Sequence, residues 1–226
     1  MIESRFQGPP MMGHGGYVAG LLAERVDGAV QVTLRRPIPL DVPLQLVQNG
    51  GGAELRQGDD LLVEAEPAAL EIEVPAAPTL AEARAAEAGS PSHYNGRGVH
   101  PTCFGCGVGR ADGLRVFVGP HGDGVAGVWD TSPFTSPDGA VARRWVLGAL
   151  DCPGAFAFIA REVGAGLLGR IVFEQFAPVS GNSEHVVSGW QIGTDGRKLF
   201  AGTALFGDSG ELLAAARATW FPWTPG

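Results

Sequence analysis

The sequence predicts an α+β fold made of two similar units in tandem, each with one helix followed by an antiparallel meander. Two observations predict it. Apolar residues recur at helical spacing in residues 13–26 and again in residues 141–162. Each of these stretches is followed by short segments in which apolar and polar residues alternate, separated by turns rich in Gly and Asp. The pattern of one helix and then several strands therefore occurs twice.

An internal duplication relates the two units. Shifting the first half by 141 positions keeps apolar residues and turn residues in the same order across the whole unit. The superimposed pairs are Gly28 and Gly169, Val30 and Ile171, Val32 and Phe173, Pro37 and Pro178, Ile38 and Val179, and Leu46 and Val187.

The first unit begins with a predicted helix from Gly13 to Val26, which Asp27 and Gly28 terminate. Alternation from Val30 to Leu34 predicts the first strand. Three further strands are predicted, at 43–48, 52–57 and 60–65.

A connector rich in Ala, Pro and Glu runs from Pro67 to Ser92. It contains a predicted helix from Thr79 to Ala88, with Thr79 as N-cap and Glu82 in the capping-box position. The predicted boundaries are 1–78 for the first unit, 79–98 for the linker and 99–226 for the second unit.

The second unit is predicted to begin with two strands before its helix. These strands are Gly113–Val118 and Val125–Trp129, joined by a turn through 119–124. One long helix is then expected from Val141 to Glu162, followed by a strand at 169–176.

Composition excludes several classes of protein. The chain has 226 residues, of which 45% are apolar and 18% charged, so a folded core is expected. Its net charge is -8 and its basic residues are scattered, which argues against nucleic-acid binding. We expect no membrane helix, because no apolar run approaches the ~20 residues that one needs. No secretory signal is recognisable at Met1–Phe6, so the cytoplasm is the expected location.

Several segments carry a resemblance to known proteins. Gly13-His14-Gly15-Gly16-Tyr17-Val18-Ala19 resembles the start of the hot-dog helix in tandem thioesterases of the acyl-CoA thioesterase II type. Three other segments are similar to actinobacterial thioesterase-like hot-dog proteins of largely unassigned activity. They are Pro101–Gly107 continuing through Gly113–Arg115, Ala149–Gly154, and the tail from Asp195 to Trp220.

The resemblance implies a double hot-dog, in which two helices are wrapped by one continuous antiparallel sheet. The implied function is an acyl-CoA thioesterase-like hydrolase that cleaves a thioester of coenzyme A or of a carrier protein. An alternative from a different class is a non-catalytic protein that binds acyl groups or acyl-CoA, because one fold hosts many functions. No cofactor is expected, and homo-oligomerisation is a further expectation.

The first candidate for the site is the predicted start of the first helix. Unpaired amides at a helix N-terminus suit an oxyanion, and Gly15 and Gly16 have no side chains to keep a carbonyl away. His14 would orient the ligand or cap the helix. The competing interpretation is that the glycines serve close packing.

The second candidate is Asp151, the carboxylate that would act as base or nucleophile. In single-unit relatives of this type a helix carboxylate lies nine residues after the His, which here is Ala23, with Glu24 one step further. The resemblance instead implies an aspartate from the second half. Asp151 lies in an apolar stretch, where a carboxylate needs a partner or a raised pKa. The competing interpretation is that Asp151 caps a helix restarting at Pro153.

Two groups of polar residues complete the predicted site. The resemblance implies polar partners on later strands, for which Gln175 and Thr219 are the candidates. Charge alone makes Arg35, Arg36, Arg143 and Arg144 candidates for binding the phosphates of coenzyme A.

The cysteines allow a metal hypothesis. Cys103 and Cys106 have the spacing of half a zinc site, with His93 and His100 just upstream. A single CxxC lacks a second pair, so a structural turn is favoured, a redox pair is a further alternative, and no metal is expected. Cys152 is interpreted as a small buried hydrophobe.

Overall fold

The computed structural model of the protein describes residues 1–94, 99–159 and 166–222. In these ranges the helices are α1 (Gly15–Ala23), α2 (Leu80–Glu87), α3 (Arg143–Ala149) and α4 (Asp151–Ile159). The strands are β1 (Val30–Leu34), β2 (Gln45–Asn49), β3 (Gly52–Gln57), β4 (Asp60–Pro67), β5 (Gly119–His121), β6 (Gly124–Asp130), β7 (Gly166–Gln175), β8 (Glu184–Asp195), β9 (Lys198–Phe206) and β10 (Leu212–Pro222). The predicted α+β class is confirmed.

The ten strands assigned in these ranges form one sheet in the order β2-β3-β4-β1-β7-β10-β9-β8-β6-β5. The first half contributes β2-β3-β4-β1, and the second half repeats this arrangement as β8-β9-β10-β7. The hairpin β5-β6 extends the second half beyond β8. The two halves join through an antiparallel pair of β1 and β7, so no break in the sheet separates them.

The register at this junction has the symmetry that the duplication implies. Val30 lies opposite Phe173, and Val32 lies opposite Ile171. These are the residues that the shift of 141 positions superimposes, now crossed over. Gln31 consequently faces Val172, its own equivalent in the other half. A local two-fold axis therefore passes through this pair.

Helix α1 of the first half packs directly on α3 of the second half. A Cβ atom at Gly16 would lie 2.9 Å from the carbonyl oxygen of Leu147, and one at Gly20 would lie 2.8 Å from that of Arg144. Two glycines four residues apart thus present a smooth strip to the neighbouring backbone. The two halves share one core, because these helices and the inner face of the sheet belong to a single buried cluster.

The long second helix predicted at Val141–Glu162 is wrong in one respect, because it is two helices. α3 ends at Ala149, Leu150 is its C-cap and α4 starts at Asp151. Pro153 explains the break. In a continuous helix its ring would clash with the carbonyl of Ala149, and it has no N–H to donate to that carbonyl. Residues 160–162 of the prediction lie outside the described residues.

The connector helix is confirmed as α2, with both hydrogen bonds of the capping box between Thr79 and Glu82. It covers the outer face of the second half's strands, where Ala83 packs with Ala126 and Val186. The domain boundaries remain a prediction.

The strand predicted at Gly113–Val118 is wrong, because strand pairing starts only at Gly119. The amides of Leu114 and Val116 donate instead to the carbonyls of Phe104 and Gly105, in the preceding loop. The turn of the hairpin is correspondingly shorter than predicted.

No helix in the part of the chain that the structure describes is long and apolar enough to cross a membrane.

Candidate functional site

The N-terminus of α1 meets the first turn of α4 at the centre of the molecule. His14 is the N-cap of α1, and its Nδ1 accepts a hydrogen bond from the backbone N–H of Tyr17 at 3.1 Å. In the neutral ring the proton is consequently on Nε2. His14 is almost fully buried, so this proton points into the interior.

Asp151, the first residue of α4, lies within ion-pair distance of this nitrogen. Oδ2 of Asp151 accepts the backbone N–H of Gly16 at 2.6 Å and lies 3.4 Å from Nε2 of His14. The side chain is buried, and Oδ1 has no partner among the described residues. The first half therefore holds a carboxylate of the second half by one oxygen and leaves the other oxygen unpaired.

Burial raises the pKa of Asp151 above the aspartate value, although the His14 charge and the Gly16 N–H both oppose this shift. Burial alone would lower the pKa of His14, but the Asp151 carboxylate and the Cys103 thiol together raise it above the ordinary histidine value. Both shifts favour retention of protons at this pair.

Three thiols lie beside the pair. Cys152 Sγ is 3.5 Å from Nε2 of His14, and Cys103 Sγ is 3.8 Å from Cys152 Sγ. Hydrogen bonds from Cys106 and Cys152 lower the pKa of the Cys103 thiol well below its usual range. The hydrogen bond with Cys103 is the main factor that raises the pKa of both Cys106 and Cys152. The hydrogen bonds among the thiols therefore shift the Cys103 pKa in the opposite direction to the pKa values of Cys106 and Cys152.

The pair and the thiols line a cavity of about 670 Å³. Its walls are largely apolar and include Phe156, Ile159 and Leu168. Trp220 adds an indole N–H that is buried without an acceptor in the described ranges. This volume fits a small-molecule ligand with an apolar part.

Basic side chains also line the cavity. Arg35 pairs with Glu64, and Arg36 lies 3.2 Å from Asp60, both at exposed positions. Arg170 and Lys198, which were not predicted as site residues, line the same cavity. These side chains would attract the anionic part of a ligand.

Comparison with known proteins identifies the fold. No family model matches the sequence, and no curated protein matches it significantly. A solved structure from Alicyclobacillus acidocaldarius, a conserved protein of unknown function with a hot-dog fold, superimposes with a TM-score of 0.64 at 11% identity, covering 99% of this chain and 92% of that one. The chain is a double hot-dog protein.

Two further structures share this fold over nearly their whole lengths. The tesB protein of Mycobacterium avium subsp. paratuberculosis has a TM-score of 0.63 at 17% identity, with 96% of this chain and 90% of that chain covered. The acyl-CoA thioesterase II TesB2 of Mycobacterium marinum has a TM-score of 0.58 at 13% identity, with 94% and 90% covered. The predicted resemblance of the fold is confirmed.

The double hot-dog brings some of the predicted site residues together. His14, Gly15, Arg35, Arg36, Asp151 and Thr219 all line the cavity. The amide of Gly15 has no acceptor in the described part of the chain, which leaves it available to a ligand. The expectation that the Gly16 amide faces a ligand carbonyl needs correction, because this N–H is already donated to Asp151.

Gln175 lies elsewhere. It is at the end of β7, and its Nε2 donates to the carbonyl of Ala177 at 3.0 Å. It is not one of the residues that line the cavity.

The structure also places Arg143 and Arg144 away from the cavity lining. Arg143 donates to the carbonyls of Val26 and Gly28, both at 2.8 Å. Arg144 lies 3.0 Å from Glu24, the C-cap of α1. Both arginines thus tie the start of α3 to the end of α1, where a positive charge also complements the helix dipole.

Sequence reasoning missed the convergence of Cys103, Cys106 and Cys152 on His14. The CxxC spacing was visible, but its partners were sought in the neighbouring His93 and His100. The fold supplies them from positions 49 and 138 residues apart, a separation that no local pattern reveals.

Proposed function

We propose that this double hot-dog protein is an acyl-CoA thioesterase-like hydrolase. The observation that carries the proposal is the Asp151 carboxylate, which is buried in the wall of the apolar cavity with Oδ1 unpaired. A buried carboxylate with a raised pKa is characteristic of a catalytic base. Burying such a group destabilises the fold, so stability does not account for its presence.

The reaction would use Asp151 as a general base. Oδ1 accepts a proton from a water molecule as its oxygen attacks the thioester carbonyl carbon. The free amide of Gly15 donates to the carbonyl oxygen as this oxygen becomes negative. Collapse of the tetrahedral intermediate breaks the carbon–sulfur bond. The leaving thiolate takes the proton from Asp151, so the products are a carboxylic acid and a free thiol.

The remaining residues would position the two parts of the substrate. The acyl group would lie against Phe156, Leu168 and Trp220, and burying each methylene contributes about 0.8 kcal/mol. The phosphates of coenzyme A would lie near Arg35 and Arg36. Thr219 would provide the hydroxyl that the predicted site requires on a late strand.

The comparisons support this proposal at the level of the fold. The structure from M. marinum is named as an acyl-CoA thioesterase II, and the match with its fold covers 94% of the present chain. At 13% identity the match does not carry over the activity, so the proposal depends on the geometry at Asp151.

The test is release of free thiol from a panel of short, medium, long and aromatic acyl-CoAs, with binding of each measured in parallel. We expect one class of acyl-CoA to be cleaved well above the background rate. Binding of these thioesters by the folded protein without thiol release would overturn the proposal and favour the non-catalytic acyl-binding alternative.

A further inference from the structure

The chain contains three cysteines, and the fold gathers all of them around His14. His14 comes from the cap of α1, Cys103 and Cys106 come from the loop before the β5-β6 hairpin, and Cys152 comes from α4. All four side chains are buried, and the three thiols are free. The three cysteines and the histidine come from three separate segments of the chain, so their proximity needs a physical explanation.

The distances between these atoms match a tetrahedral metal site. Zinc bonds of about 2.3 Å to sulfur and about 2.0–2.1 Å to nitrogen place neighbouring ligands about 3.8 Å apart for two sulfurs, and about 3.6 Å for sulfur and nitrogen. The observed separations are 3.8 Å for Cys103 Sγ and Cys152 Sγ and 3.5 Å for Cys152 Sγ and His14 Nε2. The ligand atoms of His14, Cys103 and Cys152 all lie within 4.8 Å of one another.

Cys106 lies next to this cluster, in the same turn as Cys103. Its side chain is buried and lines the same cavity. The Cys103–Cys106 spacing is the CxxC found in zinc sites, and the turn closes through a hydrogen bond of 2.8 Å from Gly107 N–H to the Cys103 carbonyl.

The backbone of this turn is fitted closely to the cluster. A Cβ atom at Gly105 would lie 2.7 Å from Cys152 Sγ, closer than real contacts allow. Glycine at this position lets the turn close over His14 and Cys152.

One hydrogen bond must break when a metal binds, and its contribution to stability is small. His14 accepts the Tyr17 N–H through Nδ1, so ligation through Nε2 requires the proton to move to Nδ1 and the cap bond to break. One N-cap bond contributes far less than ligation of a divalent cation by thiolates and an imidazole, so the metal prevails over the cap.

We propose that His14, Cys103 and Cys152 form a buried binding site for a thiophilic divalent cation of the Zn²⁺ type. Thiolate and imidazole are ligands that Zn²⁺ prefers, and the site links both halves of the fold. In the metal-bound form Asp151 keeps its hydrogen bond from Gly16. Its contact with His14 is lost, and its carboxylate interacts with the charge of the ion instead. The proposal goes beyond thioester hydrolysis and does not depend on it.

The test measures metal directly in the full-length protein purified without chelators. We expect one Zn²⁺ per chain by elemental analysis, and intense visible absorption of a tetrahedral cobalt–thiolate centre after replacement with Co²⁺. X-ray absorption at the zinc edge should give at least two sulfur ligands and one nitrogen ligand.

Variants at the ligands should remove the metal. Cys103→Ser and Cys152→Ser should lower the zinc content to a small fraction of one per chain, and His14→Asn should weaken binding while preserving a helix cap. The matched control is His93→Gln, which changes a histidine near the CxxC in sequence but outside the cluster, and should retain one Zn²⁺.

Two results would overturn the proposal. One is a folded protein that takes up no Zn²⁺ or Co²⁺ during titration and whose three thiols react with a thiol reagent equally with and without the metal. The other is a Cys103–Cys152 disulfide in the purified protein, found by mass spectrometry of its peptides. Neither result bears on thiol release from acyl-CoA, so the two proposals fail separately.

Discussion

The two halves of the molecule share one topology but contribute different chemistry. In the first half, helix α1 is uninterrupted, follows its N-cap His14 and has the buried Ala23 nine residues after that histidine. In the second half the helix is broken, and the break places Asp151 at the start of α4. The first half thus provides hydrogen-bond donors and the second half provides the acid.

Because of this difference, the proposed site needs residues from both copies of the duplicated unit. A dimer of identical units would have two donors and two carboxylates. Fusion in one chain allows each copy to lose the part that the other retains, as long as α1 and α4 remain in contact. That contact is maintained by Gly16, whose backbone packs against α3 and whose N–H is donated to Asp151.

The largest combined effect on stability and activity is expected for Gly16→Ala. Its Cβ would collide with Asp151 and come within 2.9 Å of the Leu147 carbonyl, so α1 and α4 must separate. Overpacking of this kind costs about 1–3 kcal/mol. We expect hydrolysis to fall by at least about 100-fold, because the base is displaced. Thermal unfolding and thiol-release rates measure the two effects.

Gly20→Ala is the matched control one helical turn away. It also overpacks the contact between α1 and α3, with its Cβ 2.8 Å from the Arg144 carbonyl oxygen. We expect a similar loss of stability with most of the activity retained. Equal losses of activity in both variants would show that the helix contact matters only for packing.

The pH dependence of hydrolysis should show the environment of Asp151. Catalysis needs the carboxylate, so activity is lost as the pH falls through its pKa. In the metal-free protein burial raises this pKa, which predicts an acid limb of kcat/KM above the ordinary value of 3.8. A limb at or below 3.8, measured in the presence of a chelator, would contradict the assignment.

The same shift has an opposite consequence for stability. Because the folded-state pKa is the higher one, Asp151 contributes stability below about pH 4 and loses it as the pH rises through the folded pKa. Asp151→Asn should therefore melt no lower than the wild-type protein at neutral pH.

His14 variants separate the cap of α1 from the contact with Asp151. His14→Ala removes the acceptor for the Tyr17 N–H and should destabilise the protein by about 1 kcal/mol. His14→Asn retains a good N-cap, so it should be closer to the wild type in stability while still changing the pH profile. Chemical denaturation of the two variants in the presence of a chelator measures the difference.

The smallest effects are expected for the arginines. Arg35→Ala should raise KM for acyl-CoA by roughly fivefold or less, because an exposed ion pair contributes little to binding. Arg143→Ala should leave KM unchanged and lower stability by about 1–2 kcal/mol, because it removes two hydrogen bonds at the end of α1. A raised KM for Arg143→Ala together with an unchanged KM for Arg35→Ala would indicate that Arg143 binds acyl-CoA.

Much of the fold was predictable because its signals are local. The alternation in β1, the turns around β3 and the capping box of α2 depend on residues close in sequence, and the structure confirms all three. The junction of β1 and β7 also agrees with the duplication, since equivalent strands related by a two-fold axis pair with each other. The helix break entered only as the alternative interpretation of a helix restarting at Pro153, because apolar periodicity continues through this residue.

The site was only partly predictable. Asp151 was identifiable as a carboxylate in an apolar helix, but its hydrogen bond from Gly16 joins residues 135 positions apart. Helix N-termini offer several unpaired amides, and only packing determines that Gly16 holds the acid while Gly15 remains free. The meeting of Cys152 with Cys103 has the same origin.

The most direct test of the divided site is the rate of thiol release by Asp151→Asn on the best acyl-CoA of the panel. Asn retains an oxygen for the Gly16 N–H but cannot accept a proton from water, so kcat should fall by about 10²–10⁴-fold with binding unchanged. Asp195→Asn, at the exposed end of β8, is the control and should behave as wild type. Turnover by a folded Asp151→Asn at the wild-type rate would contradict the account.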